Sequence, residues 1–254
     1  MNQTREKNQT RQPLHHDHGS VIAALRDLVP EYHPDFDEAL ALAERQADRL
    51  LSLYGLHDND SPVPTSIVAD LPRVRVVGET ITESGMSQFV SGVWLVVLNV
   101  NDHPRRQRFT LFHEFKHILD HHTARRLYQG RDWLMGAARD DDAVRQRERA
   151  ADYFAGCVLM PGHQVIRLWT KGVRSPDALA DRFEVSTAAM RVRLEQLGLV
   201  RPRWMCTRGM AHLDKQTLNL ATRQTVAKIR ALGLRDPRWA VRLHNDQALA
   251  RRPT

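Results

Sequence analysis

Two cysteines in 254 residues, Cys157 and Cys206, cannot build a disulfide framework. Cys157 falls within a helical apolar stripe, where a thiol serves as a small buried side chain. Long apolar runs are missing as well. The longest, Val93 to Leu98 with Val100 after Asn99, is far too short to cross a bilayer. The opening Met1-Asn2-Gln3-Thr4-Arg5-Glu6-Lys7 lacks the apolar core of a signal peptide. No membrane partner is expected, and the simplest location is cytoplasmic. Aromatics are scarce near the C-terminus, with only Trp204 and Trp239 in residues 201–254, so stacking on single-stranded nucleic acid has little support there.

What remains is the composition of a globular protein, 42% hydrophobic, with room for one or two domains. Residues 1–30 are polar and expected to be mobile. Within them His15-His16-Asp17-His18 could catch metal adventitiously. Asp35 to Tyr54 reads as an amphipathic helix with Leu40, Ala43, Ala47, Leu50, Leu51 and Tyr54 inward. Ser61-Pro62-Val63-Pro64 interrupts the chain, and Ile67 to Leu71 suggests a short helix. Val74 to Val77, Met86 to Val90 and Val93 to Val100 read as strands, the last two joined by a tight turn at Ser91-Gly92. Met86 to Val90 is the candidate edge strand for an extended peptide. Residues 122–145, with Asp140-Asp141-Asp142, suggest an insertion near a cleft mouth.

After the strands comes His113-Glu114-Phe115-Lys116-His117. Phe109, Phe112, Phe115, Ile118 and Leu119 recur at three- and four-residue intervals, which places this stretch on a buried helix with an apolar stripe. Residues four apart share a helix face, so both imidazoles can reach one ion. Glu114 can then face the metal-bound water as a general base, the arrangement of zinc proteases. A catalytic zinc needs a third protein ligand. His121 and His122 are excluded by distance, since His121 lies roughly 12 Å along the axis from His113. They suit the helix C-terminus, where positive charge complements the macrodipole.

A better third ligand lies in Arg147-Glu148-Arg149-Ala150-Ala151-Asp152-Tyr153-Phe154-Ala155. Ala151, Phe154, Ala155, Val158 and Leu159 form a second helical stripe, with Pro161 beyond its end. Glu148 and Asp152 stand four apart beside it. Glu148 could reach the ion while Asp152 accepts a hydrogen bond from a ligand imidazole. Alternatively Glu148 pairs with Arg145 or Arg149 on a solvated face. Tyr153 is a conceivable oxyanion donor and equally a packing residue.

These pieces together resemble the ImmA/IrrE family of zinc metallopeptidases. The matching residues are Arg108-Phe109-Thr110-Leu111-x-His113-Glu114-x-x-His117, then Glu148-x-x-x-Asp152-x-Phe154-Ala155, then Leu159-Met160-Pro161. The similarity runs from about Asp35 to Val200. It implies zinc held by His113, His117 and Glu148, with Glu114 as the base. It also implies a DNA-binding repressor as substrate, cleaved to release transcription, in settings such as a stress response. One departure is Lys116, where the family has a small residue, often glycine. A lysine there is expected to snorkel past its neighbours.

Ser175 to Leu194 resembles a helix-turn-helix. Ser175 caps one helix with Pro176 at its first position, and Ser186 caps the next. The usual turn glycine is replaced by Glu184, which must tolerate an awkward backbone angle or change the turn. Thr187, Ala188 and Arg191 would meet DNA or a partner if the second helix reads bases. A docking role on the peptidase core is the preferred alternative. Charge is uneven: the chain is +7, residues 201–254 carry a net +9, and residues 1–200 are left at −2. That basic region could contact nucleic acid.

The expected fold is α+β: a mainly helical metallopeptidase core with a small sheet before the metal-binding helix, then the helix-turn-helix-like segment and a basic helical C-terminal region. The expected divisions are 1–30, 31–172, 173–200 and 201–254. The expected function is zinc-dependent (Zn2+) peptide hydrolysis. The alternative is a non-proteolytic transcriptional regulator with a structural or silent metal site that binds DNA or a repressor. Oligomeric state is left open.

Overall fold

The computed structural model describes residues 19–57, 61–128 and 140–201. The His15, His16 and His18 cluster and the basic stretch after Arg201 lie outside the described residues. So does the middle of the expected insertion, residues 129–139.

The polar N-terminal segment does not extend to residue 30. Gly19–Arg26 is a helix, α1, whose Val21 and Leu25 are fully buried. The apolar residues of Val21-Ile22-Ala23-Ala24-Leu25 give it a face to bury. Helix α2, Phe36–Leu53, starts at Asp35, whose side chain accepts from the Glu38 amide while Glu38 returns the bond to the Asp35 amide. Its Ala43, Ala47, Leu50 and Leu51 enter the main core; Leu40 is half-buried at a smaller satellite cluster. Helix α3, Ser66–Ala69, is a single turn.

Three strands follow: β1 (Val74–Glu79), β2 (Gly85–Val90) and β3 (Val93–Asn99). Their order is β1-β3-β2, so β3 is central and β2 is an outer strand. β1 runs parallel to β3 with Val74 opposite Trp94, and β2 runs antiparallel with Val90 opposite Val93. Ser91 and Gly92 both have positive φ, 51° and 85°. A two-residue hairpin with both central residues left-handed matches the strand twist.

Helix α4, Pro104–Asp120, is capped by His103, whose Nδ1 accepts from the Arg105 amide. Helix α5 is Ala124–Tyr128 and helix α6 is Asp140–Leu159. The aspartate run opens this helix, where negative charge suits the N-terminal dipole. α6 packs against both α2 and α4, and Phe115 meets Phe154 at 6.3 Å between ring centres. Each such fully buried side chain contributes about 1.5–3 kcal/mol by leaving water.

Helices α7 (Gly162–Thr170), α8 (Pro176–Phe183) and α9 (Thr187–Gln196) complete the described chain. Ser175 and Ser186 cap α8 and α9 through the amides of Ala178 and Ala189. Glu184 occupies the left-handed region at φ 52°, ψ 46°, so of the two outcomes open to a turn without glycine the strained angle is the one taken. Leu179, Phe183, Met190 and Leu194 join the same core as α4 and α6. The buried Arg193 donates to the Met160 carbonyl at 3.1 Å. From α4, Arg105 donates to Asp181 at 2.8 Å and to the Val185 carbonyl at 3.2 Å, while Arg108 pairs with Glu184 at 3.3 Å. The helix-turn-helix-like segment is thus fastened to the N-terminal end of α4.

Lys116 does not snorkel. It is fully buried, and its ammonium donates to Gln46 Oε1 at 2.7 Å and Asp120 Oδ1 at 2.8 Å. The Tyr128 hydroxyl donates to the other oxygen of Asp120. Gln46 in turn donates to the Leu25 carbonyl at 2.9 Å. The lysine finds a carboxylate one turn along its own helix, which is a shorter reach than the solvent.

Candidate metal centre

The spacing of His113 and His117 on α4 turns both rings to one side, with centroids 4.7 Å apart and planes at 79°. Their Nε2 atoms face each other at 3.0 Å. Across the groove α6 brings Glu148, with Oε2 3.2 Å from His113 Nε2 and Oε1 3.4 Å from His117 Nε2. Donor atoms of these three residues all lie within 4.8 Å of one another. Arg145 instead pairs with Asp142, and Arg149 lies over the Phe36 ring, so neither takes the Glu148 carboxylate.

The chemistry of the donor set fits a divalent cation. Two imidazole nitrogens and a carboxylate are a catalytic-zinc combination. Asp152 Oδ1 sits 2.8 Å from His113 Nδ1, which fixes the ring and directs the Nε2 lone pair inward. His117 is held differently: Arg147 Nε donates to its Nδ1 at 3.1 Å. A neutral ring that accepts at Nδ1 carries its proton on Nε2, so an ion at that position requires Arg147 to let go.

Glu114 is buried beside the pair, and Ser87 of β2 donates to its Oε2 at 2.7 Å. Burial works against a charged His113, but the bonds to Asp152 and Glu148 outweigh it and push the ring up to about 10. Burial likewise opposes ionised Glu148, yet the hydrogen bonds from His113 and His117 hold it well below the usual carboxylate range. The groups are thus arranged as a cation site that holds a proton when metal-free.

The structure brings His113, His117, Glu148 and Asp152 together, with Glu114 adjacent. His121 and His122 are exposed beyond the helix end, away from this cluster. Tyr153 turns its hydroxyl to Glu44 on α2 at 3.2 Å. On α9, Ala188 and Arg191 are exposed, while the Thr187 hydroxyl donates to Asp177 at 2.7 Å. Sequence reasoning missed Ser87 and Arg147. Ser87 sits in the strand alternation Gly85, Ser87, Phe89, but nothing local signals its partner on α4.

Residues 75–195 match the family model described as Peptidase_M78, the IrrE N-terminal-like domain. A Mycobacterium tuberculosis transcriptional regulator of solved structure shares the fold, at a TM-score of 0.50 and 19% identity. The alignment covers 75% of this chain and 54% of that one, so the present chain spans about half the length of that regulator. No curated protein matches the chain. The fold is α+β and metallopeptidase-like, and among the described residues no helix is long and apolar enough to cross a membrane.

Proposed function

We infer that this IrrE N-terminal-like domain is a zinc-dependent endopeptidase acting on a protein substrate, a DNA-binding repressor whose cleavage releases transcription. The observation that carries the reading is the convergence of His113 Nε2, His117 Nε2 and the Glu148 carboxylate beside the Glu114 carboxylate.

A zinc ion held by His113, His117 and Glu148 would supply an acidified water and a Lewis acid for the scissile carbonyl. Glu114 takes the proton from the attacking water and passes it to the leaving amine. Ser87 orients Glu114, because its hydroxyl occupies one carboxylate oxygen and leaves the other to the water. Asp152 keeps His113 in the tautomer that offers Nε2. The outer strand β2 runs beside α4, where an extended substrate can add to its edge by backbone hydrogen bonds.

The test is a comparison of protein N-termini in cells producing the chain or its Glu114→Gln variant. New N-termini that depend on Glu114 support the reading, and identical sets in both remove it.

A regulator reading draws on the exposed Ala188 and Arg191 of α9 and on the net +9 of residues 201–254. It predicts salt-sensitive DNA binding that survives Glu114→Gln and falls on deleting residues 201–254.

A further inference from the structure

β2 and α4 run in step. Gly85 lies against Thr110, since a Cβ on Gly85 would collide with Thr110 Cγ2. Two residues on, Ser87 meets Glu114 four residues on. Two strand residues advance about 6.6 Å and four helix residues about 6 Å, so the registers stay matched. Alternation puts Phe89 next on the same face, toward the C-terminal end of α4. There it meets Trp94 at 5.1 Å, Trp94 meets His121 at 4.9 Å, and His121 meets His122 at 4.9 Å.

These four rings line a cavity of about 580 Å³, with Leu71 in its wall and Arg73 beside it. The cavity lies beyond the metal cluster, not on it. Phe89 packs one side of its ring on Trp94 yet remains 51% exposed, leaving apolar surface at the cavity for an incoming side chain. Arg73 is exposed, and the acid in the lining is Asp27. Arg26, also in the lining, is committed to the Ile118 and Leu119 carbonyls.

We propose that this cavity is a side-chain subsite that takes an aromatic residue flanked by a carboxylate residue of a protein chain laid along β2. The occupant as substrate rests on the peptidase reading above. From Glu114 to His121 is seven helix residues, about 10 Å, which an extended chain covers in roughly three residues. The subsite therefore reads a position about two to four residues from the bond cleaved. The run of tilted rings offers edge-to-face partners to an incoming aromatic. Arg73 offers a charged donor to the neighbouring carboxylate.

The experiment follows the Trp94 indole resonance of the full Glu114→Gln chain by nuclear magnetic resonance, with Trp94→Phe for assignment. The probes are Ac-Ala-Asp-Phe-Ala-Ala-Ala-NH2 and its Phe→Ala and Asp→Lys relatives. The first peptide should shift Trp94 saturably. Affinity should fall about tenfold for the Phe→Ala peptide or for Phe89→Ala in the protein. It should fall severalfold for the Asp→Lys peptide or for Arg73→Glu. Both protein substitutions are at exposed positions, and circular dichroism checks that they fold. An unmoved Trp94, or equal affinity for the three peptides, overturns the proposal. Subsite binding without any Glu114-dependent cleavage by the parent chain would leave the cavity and remove the peptidase. Glu114-dependent cleavage without Trp94 engagement would do the reverse.

Discussion

Ser87 donates its hydroxyl proton to Glu114 Oε2 across 2.7 Å, joining the outer strand to the residue beside the first histidine. A base held this way has one oxygen engaged and one available. Glu114→Gln should keep zinc at one per chain and lower cleavage by about 100- to 10,000-fold. Ser87→Ala should lower kcat by a smaller factor, with KM little changed. Metal content and steady-state rates check both. A Glu114→Gln protein that cleaves normally would sink the mechanism.

Glu148 crosses from α6 to both histidines, so it should dominate zinc retention. Glu148→Ala is expected to weaken zinc by more than 100-fold. Asp152→Asn, which leaves the donors in place and only loosens His113, should cost about 10- to 100-fold. Competition with a chromophoric chelator measures both. Unchanged zinc affinity in Glu148→Ala would mean that the third donor is another residue.

Arg147 opposes the ion in two ways, by its charge and by its bond into His117 Nδ1. Arg147→Ala should therefore tighten zinc, by roughly three- to tenfold. The same chelator assay reads this, and weaker zinc in the variant would show Arg147 to be a support.

In the metal-free chain the His113 ring, ordinarily at 6.5, is raised to about 10: burial opposes the charge, and the Asp152 and Glu148 bonds prevail. A raised pKa stabilises the folded state fully below pH 6.5 and loses that contribution as pH climbs through about 10. Glu148 is lowered from 4.5, against burial, by His113 and His117; its contribution is present above pH 4.5 and lost as pH falls toward its folded value. Both shifts describe one ion pair. The metal-free protein should be most stable from about pH 4.5 to 6.5, as thermal unfolding would reveal. Zinc added at pH 8 must then displace close to one proton from His113. Calorimetry in two buffers of different ionisation enthalpy counts it, and no release would contradict the charged ring.

Lys116 and Asp120 form a buried pair with no solvent to take either charge. Lys116→Met should destabilise by about 3–5 kcal/mol, because buried Asp120 then loses its paired ammonium and keeps only the Tyr128 hydroxyl. Adding Asp120→Asn should recover part of that loss. Denaturant unfolding of the three proteins decides, and a harmless Lys116→Met would mean that the pair carries no weight.

Much of this was readable from local rules. Four-residue spacing gave the histidine pair, Ser91-Gly92 the hairpin, and Asp35, Ser175 and Ser186 the helix starts. The missing turn glycine left Glu184 either an awkward angle or a changed turn, and the left-handed angle is the one it adopts. What failed depends on partners far away in sequence. Lys116 was expected to reach water because nothing nearby announced Gln46, 70 residues earlier, or Tyr128 on α5. Ser87 and Glu114 are 27 residues apart and meet only because β2 lies outermost and in step with α4. Arg147 adjoins Glu148 in sequence, yet its direction is set by how α6 crosses α4.

The guanidinium of Arg26 donates to the carbonyls of Ile118 at 2.6 Å and Leu119 at 3.1 Å, at the far end of the helix that carries both histidines. This fixes where the chain can be trimmed. Removing the His15-His16-Asp17-His18 cluster, so that it cannot confuse a zinc count, is sound only if the cut falls before Gly19. A cut at residue 30 would take Val21, Leu25 and Arg26 as well, and a lost ion would then report a frayed helix rather than a missing ligand.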